Sequence, residues 1–93
     1  MKSIIYDTST PEDMRFKTIS EFKNCITRGG EIVFSWGVKR YGVFKSDVHY
    51  CIALTNGEEE KWCDTADEVL EYMVGGDRLR DVITQVTVWD RTI

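Results

Sequence analysis

Residues 31–55 read EIVFSWGVKRYGVFKSDVHYCIALT, and their alternation decides the fold. In Ile32-Val33-Phe34-Ser35-Trp36, the residues Ile32, Phe34 and Trp36 share one face, with Val33 and Ser35 on the other. Strict alternation of this kind marks a strand with one buried face. Gly37 then supplies a tight turn. In the second run, 40–45, Tyr41 and Val43 fall on one face, Gly42 and Phe44 on the other. Ser46-Asp47 is a turn signal. The third run, 48–54, sets Val48, Tyr50, Ile52 and Leu54 against His49, Cys51 and Ala53. The reading is a three-stranded antiparallel meander. Asn56-Gly57, a favoured pair for type I′ hairpins, predicts a fourth, edge strand over 58–64 carrying Trp62.

The flanks read as helices. Thr18-Ile19-Ser20-Glu21 has the spacing of a capping box, in which Glu21 reaches back to the Thr18 amide. Ile19, Phe22 and Ile26 then form an apolar stripe, and Gly29-Gly30 ends the helix. After the meander, Asp64 or Thr65 caps a second helix with Val69, Leu70 and Met73 inward, ended by Gly75-Gly76. Asp77 is expected to cap a short third helix with Leu79, Val82 and Ile83 inward. Val86 and Val88, alternating with Thr87 and Trp89, predict a closing strand over 85–93. The expected core is Phe22, Ile26, Ile32, Phe34, Tyr50, Ile52, Leu70, Met73, Leu79 and Ile83. The expected class is α+β, with helices on one face of a largely antiparallel sheet. Residues 1–13, polar and holding the one proline, read as a flexible N-terminal tail before a single domain over 14–93. Ile4-Ile5-Tyr6 is the one part of that tail suited to docking as an edge strand.

A chain of 93 residues that is 42% hydrophobic and 30% charged is ordinary for one small globular domain. No run approaches the ~18 apolar residues of a membrane span, and a signal-peptide core is missing from the start of the chain, so a cytoplasmic setting with no membrane partner is expected. Three cysteines, Cys25, Cys51 and Cys63, cannot all pair within one chain. They read as buried reduced thiols. A zinc site from these and His49 lacks the paired ligands that structural zinc sites use on tight turns. The net charge of −4 is uneven: residues 16–45 carry +4 and residues 46–93 carry −7. Such a split steers partners.

Thr-Ile-Ser-Glu-Phe at 18–22, Gly-Glu-Ile-Val-Phe at 30–34, Tyr41, Asp-Thr-Ala-Asp-Glu-Val-Leu-Glu-Tyr at 64–72 and Gly-Gly-Asp-Arg-Leu-Arg-Asp-Val-Ile at 75–83 carry a resemblance. Together they resemble a group of short proteins of Gram-positive bacteria and their phages or mobile elements, over the stretch from about residue 16 to the end. The group has no known activity. The resemblance implies a small accessory protein of bacterial or phage origin and assigns no site residue.

The chemistry looked for is sparse. A Cys51–His49 pair is the one local nucleophile–base candidate, and neighbours on a strand are usually structural. The pairs Asp67/Glu68 and Asp77/Asp81 read as helix-start charges. There is no Walker loop and no GxGxxG. Gly75-Gly76-Asp77 reads as a helix stop and cap rather than an anion site, since Asp77 would occupy the amides. No enzyme activity and no cofactor is expected. Candidate binding residues are Trp36, Lys39, Arg40 and Tyr41 at the first hairpin, Trp62 on the edge strand, and Arg78 and Arg80 on the third helix. The leading reading is a non-enzymatic accessory factor that binds a protein partner, blocking or modulating a larger host machine. The alternatives are a small nucleic-acid-binding module that stacks bases on the 36–41 hairpin and, behind both, a thiol or metal protein. Monomer and dimer are both open.

Overall fold

A computed structural model describes residues 14–92. Expectations about residues 1–13, as a tail or as an added strand at Ile4-Ile5-Tyr6, lie outside the described residues. The first helix, α1 (Ile19–Thr27), is capped by Thr18, whose side chain accepts from the Glu21 amide at 3.0 Å. Glu21 reaches back one residue further than the capping-box spacing predicts, to the Lys17 amide at 2.7 Å. Gly29, at φ 90°, turns the chain out of the helix.

The meander then follows with one shift: β1 (Ile32–Trp36), β2 (Lys39–Ser46) and β3 (His49–Leu54). Ser46 stays in the strand, and Val48, expected inward on the third run, falls in the Asp47-Val48 turn and is exposed. Trp36 faces Lys39 and Ser46 faces His49, so both hairpins have two-residue turns. Gly37 and Asp47 take the positive φ at the first position of each. The next connection is wider than the two-residue Asn56-Gly57 turn expected. Asn56 lacks the positive φ that a type I′ turn requires. Its side chain instead accepts from the Glu58 amide at 2.9 Å, an Asx turn that starts a longer loop. The edge strand β4 is correspondingly short, Lys61–Cys63.

Thr65 caps α2 (Ala66–Leu70), and its bond from the Glu68 amide is reciprocated by Glu68, completing a capping box. The helix stops at Leu70, not at Gly75-Gly76. Met73 and Val74 form β5, Asp77 and Arg78 form β6, and the two glycines are the turn of a miniature hairpin between them. Met73 is thus 50% exposed rather than in the core. Asp77 lies in β6 and does not cap α3 (Leu79–Val82), whose cap position is Arg78 without a side-chain bond. The Leu79 amide donates instead to the Tyr72 carbonyl at 2.8 Å. The closing strand β7 is Thr87–Arg91.

The main sheet is antiparallel throughout, in the order β4-β3-β2-β1-β7. Between Val33 and Phe34 the β1–β7 register slips, leaving Trp89 as the extra residue of a bulge. One face of this sheet carries the core. Phe34, Tyr41, Val43, Tyr50 and Ile52 pack with Phe22 and Ile26 of α1, Val69 and Leu70 of α2, and Leu79 and Ile83 beyond. Apart from Met73, every expected core residue is buried; Phe16, Tyr41, Tyr72 and Val74 are further members. The architecture is therefore α+β with the sheet as its main element. Among the described residues, no helix is long and apolar enough to cross a membrane.

Candidate functional site: the helix-free face of the sheet

The hairpin residues do not gather into one site. Tyr41 is only 1% exposed and stacks on Phe34, with ring centroids 5.3 Å apart. Its alternation with Val43 placed it on the buried face, so it offers no ring to a ligand. Trp36 is half-buried, and its Nε1 donates to Asp77 Oδ2 at 3.0 Å, tying the first hairpin to the miniature one. Lys39 pairs with Glu59 at 3.3 Å. Arg40 lies 5.1 Å from the Trp89 ring centre. Arg78 and Arg80 converge on Glu71 at 3.3 and 2.7 Å, so each guanidinium is engaged within the molecule. The Arg80 hydrogen bond, followed by that of Arg78, holds the Glu71 carboxyl below its usual range.

Trp62 is different. It stands 50% exposed on β4, edge-on to Phe44 of β2 at 5.9 Å, and Phe44 is itself 40% exposed. Both belong to the face opposite the helices, which among the described residues no helix covers. Cross-strand pairing lays that face out in rows. Phe44, Cys51 and Trp62 are successive partners across β2, β3 and β4. Val33, Gly42 and Ala53 are successive partners across β1, β2 and β3. The first row is a wall with two aromatic rings. The second is a low floor, because Gly42 has no side chain and its neighbours are small. The second row, with Phe44 and Cys51 of the first, lines an open depression of about 390 Å³ edged by Glu31 and Glu60, and Trp62 stands outside it. An added Cβ on Gly42 would have Ile32 O at 3.9 Å as its one near neighbour, so the floor is empty rather than closely packed.

The cysteines are buried free thiols, each in its own setting. Cys25 donates to the Thr92 carbonyl and Cys51 to Glu60 Oε2 at 3.4 Å. Cys63 is paired with Tyr50 on the core face, whereas Cys51 lies on the other face beside Trp62. Burial, with the Glu60 carboxylate adding to it, pushes the Cys51 thiol up to about 11, so it stays neutral near pH 7. His49 binds Asp64 at 3.2 Å at the surface. The Cys51–His49 pair is thus split between separate partners.

Sequence reasoning named Trp62 but missed Phe44, Val33, Gly42, Ala53, Glu31 and Glu60. Alternation had put Val33, Gly42, Phe44, Cys51 and Ala53 on the faces opposite the core in each strand. Uniting them needed the register. No protein-family model, no curated protein and no solved structure matches this chain.

Proposed function

We propose that this chain is a non-enzymatic accessory factor of the phage or mobile-element type its sequence resembles, which blocks or modulates a larger machine by binding a protein of it through the helix-free face of the sheet. One observation carries this reading: an open depression lined by Val33, Phe44 and Ala53, with the half-exposed Trp62 packed edge-on against Phe44 beside it. Apolar surface left in water is disfavoured, and a patch rimmed by polar residues is characteristic of interaction sites. Aromatic rings, here Phe44 at its wall and Trp62 beside it, are the residue type on which binding energy concentrates. The nucleic-acid reading fares worse on the same geometry. Its hairpin presents two cations and one half-buried ring, and carboxylates edge the open face and would repel phosphates.

The test is affinity capture from a bacterial lysate with the wild-type chain, Trp62→Ser and Arg80→Ala. A protein retained by wild type and Arg80→Ala but lost with Trp62→Ser supports the reading. Capture unaffected by Trp62→Ser, or nothing above background at low salt, counts against it. Salt-sensitive binding of single- or double-stranded DNA or RNA in a gel shift would favour the rival.

A further inference from the structure

Resting on that reading, we infer that the depression on the helix-free face takes a cationic amphipathic helix, its apolar stripe on the Val33-Gly42-Ala53 floor and its lysines or arginines beside Glu31 and Glu60. Two observations select this occupant. The first concerns the backbone. β1, β2 and β3 are interior strands, each paired on both sides, so their amides and carbonyls are committed to the ladder. A floor made of such strands offers an incoming chain no main-chain partner. An extended segment laid on it would bury unpaired backbone groups, whereas a helix satisfies its own. The floor therefore suits a helix lying on the sheet face, not a strand added to it.

The second concerns charge. Among the described residues that line the depression there are two carboxylates, Glu31 and Glu60, and no lysine or arginine. Arg40 stands on the same face but outside the lining, and Lys45 is on the core side. Arg40 lies over Trp89, and Lys45 donates to the Thr27 carbonyl on the helix side. The Cys51 thiol donates to Glu60 without carrying a charge that offsets it. A partner with basic residues beside its apolar stripe meets complementary potential here, and an acidic one meets repulsion.

The probes are two labelled synthetic peptides with the same leucine stripe, one flanked by lysines and one by glutamates, read by fluorescence anisotropy at low and high salt. The lysine peptide should bind and weaken with salt. The glutamate peptide should bind more weakly by about tenfold or more. Gly42→Leu, which fills the floor at an unstrained position, should abolish binding while leaving the thermal melt intact. Glu31→Gln combined with Glu60→Gln should bring the two peptides close together. Equal binding of both peptides to the wild type, binding that survives Gly42→Leu, or no binding of either overturns the inference. So does a dimer that Trp62→Ser dissociates, or peptide binding that appears only after residues 1–13 are deleted, since a second copy or the chain's own start would then be the occupant. Loss of lysate capture with Trp62→Ser alongside two silent peptides would sink the helix assignment and leave the protein-binding reading standing.

Discussion

The Arg91 guanidinium meets the Glu21 carboxylate at 2.8 Å and ties the last strand to the first helix across the sheet edge. The same guanidinium donates to the Met14 carbonyl at 2.8 Å and lies 4.2 Å from the Phe16 ring centre. One side chain thus joins the beginning and the end of the described residues. The Arg91 hydrogen bond is the main cause, and the Lys17 amide the second, of a Glu21 pKa held below its usual value. A carboxyl with a lowered folded pKa stabilises the fold fully above its unfolded pKa. That contribution is lost as pH falls through the folded value. Wild type should therefore lose stability relative to Glu21→Gln as pH drops below about 5. Arg91→Ala should cost about 1–3 kcal/mol near neutral pH, since it breaks bonds to a charged group and uncovers Phe16. Urea melts of the three proteins from acid to neutral pH check both; parallel pH profiles for wild type and Glu21→Gln would refute the linkage.

Leu70 closes α2 and is fully buried against the sheet. Leu70→Ala removes that packing and leaves a cavity, at a cost of about 2–5 kcal/mol. A denaturant midpoint that moves by the equivalent of less than about 1 kcal/mol would mean that the core collapses around the lost side chain.

How far the sequence disclosed this fold follows from the range over which each signal acts. The Thr18 side-chain cap, the start of α2 at Asp64 or Thr65 and the inward residues of the meander strands are set by neighbouring residues, and all but Val48 read correctly. Glu21 shows the limit. Its place at the helix start was legible, but its return bond goes to the Lys17 amide instead of Thr18, and its partner Arg91 is 70 residues away in the chain. The end of α2 was misread because Val69, Leu70 and Met73 keep helical spacing. Tyr72 breaks that pattern through a distant contact: it turns into the core, and its hydroxyl donates to the Glu59 carbonyl at 2.8 Å. For the site, each strand's outward residues were legible one strand at a time. Their union into a wall and a floor depends on cross-strand register, and their exposure depends on which face the helices choose.

Gly30 makes a different kind of demand from the glycines of the turns. Its φ is not in the left-handed region, yet a Cβ there would sit 2.6 Å from Thr92 O, 2.7 Å from Cys25 Sγ and 2.8 Å from Cys25 O. Two of those atoms are backbone and cannot swing away. Gly30→Ala should therefore separate α1 from the end of β7, with a loss of about 1–3 kcal/mol. Gly29 faces open space, and its φ of 90° alone resists a side chain. Asn, which tolerates the left-handed region, should be accepted at 29 and rejected at 30. Thermal melts of Gly29→Asn and Gly30→Ala are the measurement, and equal melting temperatures would show that the close approach at Gly30 relaxes freely.

Gly75 and Gly76 stand side by side in the β5–β6 turn, and the structure separates their roles. Gly75 has φ 69°, and Gly76 is outside the left-handed region. A positive φ at the first position alone is the sign pattern of a type II′ hairpin turn, which calls for Gly there and tolerates other residues next. An added Cβ meets nothing within 4 Å at either position. Sterics beyond the backbone are therefore equal, and any difference must come from φ. Gly75→Ala should destabilise the fold by about 1 kcal/mol, because alanine is strained at that φ. Gly76→Ala should be neutral or slightly stabilising, since it restricts the unfolded chain without straining the native turn. The hairpin also positions Asp77 to accept from Trp36 Nε1. Disturbing the turn at Gly75 should thus shift the Trp36 indole N–H resonance, while Gly76→Ala leaves it in place. Melts and indole spectra of the two variants test the assignment together. If Gly76→Ala proves the more damaging, or if both variants move the indole signal alike, the turn is not of this type and the hairpin does not hold Asp77 as described.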